Sequence, residues 1–564
     1  MAQGENQSIP KSKKRSWIRL QFSLRFMLVA FTVAAGFAWV LSERHKAAEE
    51  AKAVKLLIQL SEAIPYYASD VDQDGKLIND ASDRRPTWFQ KWLGPRFMDP
   101  VVSIYIHKRG LGSFTMYSAM EREEWELLST FRGLRNLTIS GDCSKFMVSD
   151  FENLQRLESL KIDSYGKGTP FPLAAINRLS SLKELELRSS WHQLYTPTEE
   201  PCEFRLKKLR LDGPLVDSAK VLSDFGDLSR LERLWVSNLR KEQGKSGPLS
   251  LKSKSGLPEL KEITLINQKI EDASRIYDSE SIEKIQLSGT EGVVSFFKNV
   301  DRKILPGLKR IHLELAKSEP SENDREIEYL NLLEHLPTLE EIALYDHRIR
   351  KIDALPELPN LRALTLGCRA LESFDVPLNQ IENLICHAGK IKHLNFLSSH
   401  DSRLRRCSID CSAYPTNPSP VTNLDCLRFA KNLERLDIVE SHIESVDFLA
   451  GLGNLKRIEL QSNNQLVDIE AFSDSADSLE SIMLVHNRRL LEYGILEQDM
   501  SQLKKLVIYD FQRKPYRKLD NLHLDLKGNL KRFDRLQVPN HIRIGEAVEM
   551  QELWNFDEYP LMSF

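Results

Sequence analysis

The sequence predicts a repeat solenoid of the α/β class: a curved parallel sheet of short stacked strands with a helical, 3₁₀ or irregular convex side, preceded by one transmembrane helix. Three observations predict it. A motif of the form L-x-x-L-x-L recurs along most of the chain. The residue after the first leucine of each motif is charged, and its sign alternates from one motif to the next. Near the N-terminus, the stretch from Phe26 to Leu41 carries no charge.

The bulk numbers agree with an array. At 564 residues the chain is longer than one compact core usually needs, so several domains or one long repeat is expected. Lys and Arg total 78 against 81 Asp and Glu. That balance lacks the basic surplus of a nucleic-acid binder, and no nucleic-acid partner is expected. With 28% charged and 41% hydrophobic residues, the composition is that of a folded domain.

Residues 1–25 are polar and basic, with Lys11, Lys13, Lys14, Arg15, Arg19 and Arg25, and read as a cytoplasmic N-terminus. Residues 26–41 read as a single-pass signal anchor. Trp17 and Trp39 stand near its ends, where amphipathic rings favour the interface. The basic cluster before the span predicts N-terminus inside and the rest of the chain on the non-cytoplasmic side of the cell membrane. Two other readings stand beside it. Ala34, Ala35, Gly36 and Ala38 fit a cleaved signal peptide and a secreted protein, and a buried soluble helix passes the same composition test. Residues 42–65 are rich in Ala, Glu, Lys and Leu and predict a stalk helix stopped by Pro65, with Leu56, Leu57, Leu60 and Ile64 at helical spacing.

Residues 66–100 read as a linker and N-terminal cap. Within them Asp70, Asp72, Asp74 and Gly75 match the opening of a calcium loop, but its twelfth position is Ala81 instead of an acidic ligand. An acidic, solvated turn is the preferred reading.

Residues 101–536 read as the solenoid. Sixteen motifs begin at Leu134, Leu157, Leu182, Leu206, Leu231, Leu260, Ile282, Leu308, Leu339, Leu361, Ile381, Leu404, Leu433, Leu455, Leu479 and Leu503. Their mean spacing of about 25 residues is that of leucine-rich repeats. Each motif supplies a strand whose alternate residues point inward, and one unit cannot bury that face alone. Val101-Ile104-Ile106 fits an extra first rung, and Leu519-Leu522-Leu524 and Leu530-Phe533 fit degenerate last ones. Residues 537–564 read as a C-terminal cap.

The charged residues after each first leucine are Arg135, Glu158, Lys183, Lys207, Glu232, Lys261, Glu283, Lys309, Glu340, Arg362, Glu382, Arg405, Glu434, Lys456, Glu480 and Lys504. Only Lys183 and Lys207 are like-signed neighbours. Equivalent positions on stacked strands lie about 4.8 Å apart, so alternation favours this register by a few tenths of a kcal/mol per pair.

From Leu339 to Leu361 the return half of the repeat carries Ile349, Ile352, Leu355 and Leu358, and from Leu433 to Leu455 it carries Ile443, Val446, Leu449 and Leu452. These units resemble internalin-like leucine-rich repeats, which implies a tight turn and a short helical or 3₁₀ return. The asparagine such repeats place after the strand stands at Asn463 and Asn487, and is replaced elsewhere, as by His347 and Ser441.

The leader RLQFSLRFMLVAFTVAAGFAWVL, the stalk, and residues 86–106 (PTWFQKWLGPRFMDPVVSIYI), with Trp88, Trp92, Leu93, Gly94 and Phe97, resemble a bacterial family of membrane-anchored leucine-rich-repeat proteins. The resemblance implies an acidic linker at Asp70–Gly75 and no known activity.

Seven scattered cysteines make no disulfide framework, and Cys386 and Cys407 fall on core positions. Cys407 and Cys411 have no second ligand pair at zinc spacing. No nucleophile elbow, Walker loop, zinc-protease or dinucleotide motif occurs, so neither an enzyme, a cofactor nor a small-molecule substrate is expected. Contacts with a protein partner are expected on the outward strand positions, with Trp235, His312, Tyr345, His387 and Tyr509 as candidates. Lys161, Glu186, Arg210, Asp437, Glu459, Asp163, Arg188, Asp212, Glu314 and Asp410 share those rows. Insertions fall at 190–204, 239–256, 316–335 and 410–423, the second of them basic. The rival to a binding module is a structural protein that braces the cell envelope.

Overall fold

The fold was analysed in a computed structural model. It describes residues 14–61, 63–67, 70, 100–107, 122–141, 151–164, 170–189, 193–198, 202, 204–215, 220–238, 249–251, 256–272, 276, 279–290, 293 and 296. It further describes 305–315, 332–346, 349–399, 401–412, 421–490, 500–509, 522–524, 535–537 and 542–544. The chain divides into two compact units: residues 1–216 with 224–228, and residues 217–223 with 229–564.

The first unit opens with helix α1 (Lys14–Ser61), 48 residues long and uninterrupted. The part from Phe26 to Ser61 is long and apolar enough to cross a membrane. Its apolar side chains are not packed on protein: Phe26, Leu28, Phe31 and Phe37 are 61–72% exposed, which argues against the buried soluble helix. After α1 the chain enters strand β1 (Ile64–Tyr67), antiparallel to β2 (Val101–His107). Pro65 thus sits inside a short strand rather than simply beyond a helix. A residue without an N–H is tolerated on an edge strand, where that side of the backbone needs no partner.

Helix α2 (Arg122–Leu128) buries Trp125 and Leu128 at the first rung. The Trp125 ring lies 4.9 Å from Phe151, which meets Phe171 edge-on at 6.3 Å. Strands β2, β3 (Asn136–Gly141), β4 (Ser159–Ser164), β5 (Glu184–Ser189) and β6 (Lys208–Asp212) then pair in parallel, each with the next.

The second unit continues the same plan by itself. Its strands are β7 (Arg233–Ser237), β8 (Glu262–Ile266), β9 (Lys284–Thr290), β10 (Arg310–Leu315), β11 (Glu341–Tyr345) and β12 (Ala363–Leu366). They are followed by β13 (Asn383–His387), β14 (Arg406–Asp410), β15 (Arg435–Val439), β16 (Arg457–Gln461), β17 (Ser481–Val485) and β18 (Lys505–Tyr509). All pair in parallel with their successors. The inward row Leu234, Ile263, Ile285, Ile311, Ile342, Leu364, Leu384, Cys407, Leu436, Ile458, Ile482, Leu506 is no more than 2% exposed anywhere. Each such side chain contributes about 1.5–3 kcal/mol of apolar burial. The fold is therefore the expected leucine-rich-repeat solenoid.

The charged ladder sets the register at the backbone. In the first unit the amides of Glu158, Lys183 and Lys207 donate to the carbonyls of Arg135, Glu158 and Lys183 at 2.7–2.8 Å. In the second, every step from Lys261 onto Glu232 through Lys504 onto Glu480 repeats this at 2.7–2.9 Å. Side-chain pairs follow at several steps, including Arg135–Glu158 at 3.8 Å, Lys261–Glu232 at 3.1 Å, Arg405–Glu434 at 3.5 Å and Lys456–Glu434 at 3.4 Å.

The return side varies. Asp425–Phe429, Asp447–Leu449 and Glu470–Ser475 are 3₁₀ turns, as expected. Lys351–Ile352, Ser373–Phe374 and His393–Leu394 instead pair as a second parallel sheet. The last rungs also differ from expectation. Leu506 stands opposite Leu536, so strand β19 (Arg535–Gln537) extends the sheet, three residues beyond Phe533. Leu522–Leu524 pairs with Ile542–Ile544 in a separate two-stranded sheet. In sequence, Asp534 follows Phe533 and keeps the alternation of sign with Lys504.

Candidate interaction face

The outward positions of the strands carry every candidate contact residue, and the two units present different chemistry there. In the first unit six charges alternate over β4, β5 and β6. Glu186, with its side chain only 8% exposed, meets Lys161 at 3.7 Å and Arg210 at 3.3 Å, and also Arg188. Arg188 Nε lies 3.6 Å from Asp163 and 3.4 Å from Asp212, and Arg210 Nε donates to Asp212 at 2.7 Å. Burial holds the Asp163 carboxyl above its ordinary value, against the pull of Arg188. Three cations and three carboxylates balance one another in charge, leaving little net charge to attract a ligand, while Glu186 Oε1 and Arg188 Nε make no hydrogen bond.

In the second unit the outward rows carry aromatic and uncharged residues among charged ones, which include the pairs Arg435–Asp437 at 2.8 Å and Arg457–Glu459 at 3.4 Å. His312 on β10 and Tyr345 on β11 stack with centroids 5.0 Å apart at 29°. The register explains the meeting: Glu314 pairs with Tyr345, which puts His312 one step back on the neighbouring strand. On its other side the Tyr345 ring covers Gly367, where an added Cβ would fall 2.1 Å from Cδ1. A glycine here, one residue past β12, marks such close approach. Glu314 accepts from Ser288 Oγ at the edge of this cluster. Burial lowers the His312 pKa; Glu314 works against the shift and Lys284 with it. Burial, then Glu314, raises the Tyr345 phenol.

Two strands further on, about 10 Å away, His387 is exposed and its Nδ1 lies 3.1 Å from Asp410 Oδ2. Burial alone would raise Asp410; hydrogen bonds from His387 and Ser412 outweigh it and hold the carboxyl below its ordinary value. Ile385, on the same strand, is 39% exposed. Trp235 is half-buried opposite Thr264, three strands before His312. Tyr509 stands opposite Val485 on β18, the last strand but one of the sheet. The structure thus brings His312, Tyr345 and, more loosely, His387 into one region, and leaves Trp235 and Tyr509 apart from it. Gly367 and Ser288 are the members sequence reasoning missed.

The turns after the strands are built by side chains. Asn463 Oδ1 accepts from the Ser441 amide at 2.9 Å, and Asn487 Oδ1 from the Asn463 amide at 2.9 Å. Glu440, Ser462 and His486, one residue before them, hold φ of 54–57°. The ladder of Ser441, Asn463 and Asn487 stabilises this left-handed turn in residues that rarely adopt it.

Among the described residues, Cys202, Cys368, Cys386, Cys407, Cys411 and Cys426 are free and buried; Cys143 lies outside them. Burial pushes the Cys368 and Cys411 thiols up to about 12 and holds the Cys386 and Cys407 thiols well above the ordinary range. No group of three His, Cys, Asp or Glu suited to a metal occurs among the described residues. Asp70 accepts from the Tyr67 amide at 3.0 Å; Asp72, Asp74 and Gly75 lie outside the described residues. So do Trp88, Trp92, Leu93, Gly94, Phe97, His347, most of the four insertions and the tail at 546–564.

No protein-family model matches the chain, and no curated protein matches it. Solved structures do. An internalin from Listeria monocytogenes is 14% identical, with a TM-score of 0.28 over 73% of this chain and 87% of its own. A leucine-rich-repeat protein from Leptospira interrogans is 15% identical, with a TM-score of 0.40 over 76% of this chain and 99% of its own. The functional domain of InlJ from Listeria monocytogenes, which includes a cysteine ladder, is 12% identical, with a TM-score of 0.32 over 61% and 71%. The assignment of the fold rests on this chain's own repeat and register.

Proposed function

We propose that the chain is a single-pass, membrane-anchored leucine-rich-repeat protein that docks another protein on the non-cytoplasmic side and carries out no chemistry of its own. The observation that carries the docking reading is the cluster of Tyr345, His312 and Gly367, with Ile385 and His387 beside it on the outward rows. Aromatic side chains held rigidly by neighbours are the usual anchors of interfaces. The anchor is α1, whose exposed apolar length fits a bilayer, and the basic residues before it favour an inside N-terminus.

Photocrosslinking in intact membranes tests the docking reading. A crosslinking residue at position 345 should give a discrete adduct, and one at exposed Glu470, on the return side, should not. Equal, diffuse labelling from both positions would contradict it. A second reading, a structural envelope protein, is favoured by the self-neutralised charges of the first unit. It predicts diffuse labelling from both positions.

A further inference from the structure

We infer that α1 is a rigid strut that fixes the first unit at a set height and rotation above the membrane, with no free hinge between anchor and solenoid. The inference rests on the membrane reading above and goes beyond it. A stalk leaving a bilayer is commonly a flexible tether, and three observations make this one stiff.

The first is continuity. The helix runs from Lys14 to Ser61 without interruption, and no glycine or proline occurs in it after Gly36. Sharp kinks have identifiable causes, chiefly proline and glycine, and the segment beyond the apolar run has neither.

The second is the pattern of burial. From Phe26 to Trp39 every residue is exposed, whichever side of the helix it occupies. From Val40 onward one stripe is covered: Val40, Glu43, Lys46 and Glu50 are half-buried, and Ala53, Leu57 and Ser61 are 1–3% exposed. The steps are three or four residues, which is one face of a helix. The covered face therefore begins inside the uncharged run, before it ends at Leu41. Of the leucines that the sequence favoured for this face, Leu57 is on it, but Leu56 and Leu60, 38% and 46% exposed, are not. Small Ala53 and Ser61 let the helix approach closely instead.

The third is a polar tie. Glu50 Oε2 accepts from the Val101 amide at 3.5 Å, at the start of the first parallel strand. Val101 itself is fully buried. Glu50 lies nine residues past Leu41, which at 1.5 Å per residue sets the first rung about 14 Å along the helix from the end of the apolar run. Each residue also fixes about 100° of rotation, so the outward strand face of this unit has one orientation to the membrane. Partners would then be selected by position as well as by contact.

The test uses the full chain reconstituted in lipid vesicles. Arg122, whose side chain is 85% exposed at the start of α2, is changed to Cys in a Cys143→Ser background and labelled. Time-resolved energy transfer to headgroup-labelled lipid then reads the distribution of heights. A narrow distribution is expected. Inserting Gly-Ser-Gly-Ser between Leu41 and Ser42 should broaden it about twofold, because the insert is a flexible linker. Leu57→Asp should broaden it by undocking the stripe. A native chain as broad as the insertion variant would overturn the strut while leaving the anchor intact. Failure of the chain to float with the vesicles would overturn the anchor itself, and the strut with it.

Discussion

The ring of Tyr345 lies against Gly367, so close that the missing methyl group of the glycine is what gives the ring its place. Gly367→Ala should therefore displace Tyr345 and break its stack with His312, at a cost of about 1–3 kcal/mol. Urea unfolding measures the loss. Combining Gly367→Ala with Tyr345→Ala should recover most of the clash, giving a coupling energy of about 1 kcal/mol or more. Simple additivity would remove the contact from the explanation.

The charged ladder predicts a second effect. Glu158 lies between Arg135 and Lys183 and pairs with both. Glu158→Lys would set four cations in a row, Arg135 to Lys207, and should destabilise the first unit by about 1 kcal/mol at low salt. High salt should recover much of the loss, since the pairs are exposed. A penalty indifferent to salt would mean that packing, not charge, causes it.

His312 predicts a pH dependence. Burial holds its pKa below the ordinary value of 6.5, so the folded state favours the neutral ring. Its contribution to stability is present above that value and lost as pH falls through the folded pKa. Thermal unfolding should show a loss on acidification that His312→Gln lacks. NMR titration should place the native ring below 6.5, lower again in Glu314→Gln and higher in Lys284→Met.

The turn ladder makes the largest single-site prediction. Asn463 is fully buried, accepts from the Ser441 amide and donates to the Ile438 carbonyl at 3.0 Å. Asn463→Ala leaves both without partners and should cost about 2–4 kcal/mol in unfolding free energy. Asn463→Asp should keep the acceptor and lose the donor, and fall between.

The strand registers were legible because two signals coincide at every motif: leucines at fixed offsets, and a charge of alternating sign beside the first of them. His312 and Tyr345 were legible as outward residues, but their contact depends on Gly367, and a glycine carries no chemical signature of what covers it. The helix face was legible only at Leu57, because hydrophobicity points equally to Leu56 and Leu60 while the covered face also takes the small Ala53 and Ser61. Pro65 reads as a helix stop and also suits an edge strand, and only the pairing with Ile104 distinguishes the two. The final rung was misplaced by three residues because Leu530 and Phe533 imitate the motif more closely than Phe533 and Leu536 do.

Topology is the most direct test of the anchored, exported module. A C-terminal tag is added, membranes are extracted with carbonate, and cells stripped of their outer barriers are treated with protease. The tag should remain with the membrane and be cleaved from outside. A tag released by carbonate would contradict the anchor, and a membrane-bound tag protected from protease would place the solenoid in the cytoplasm.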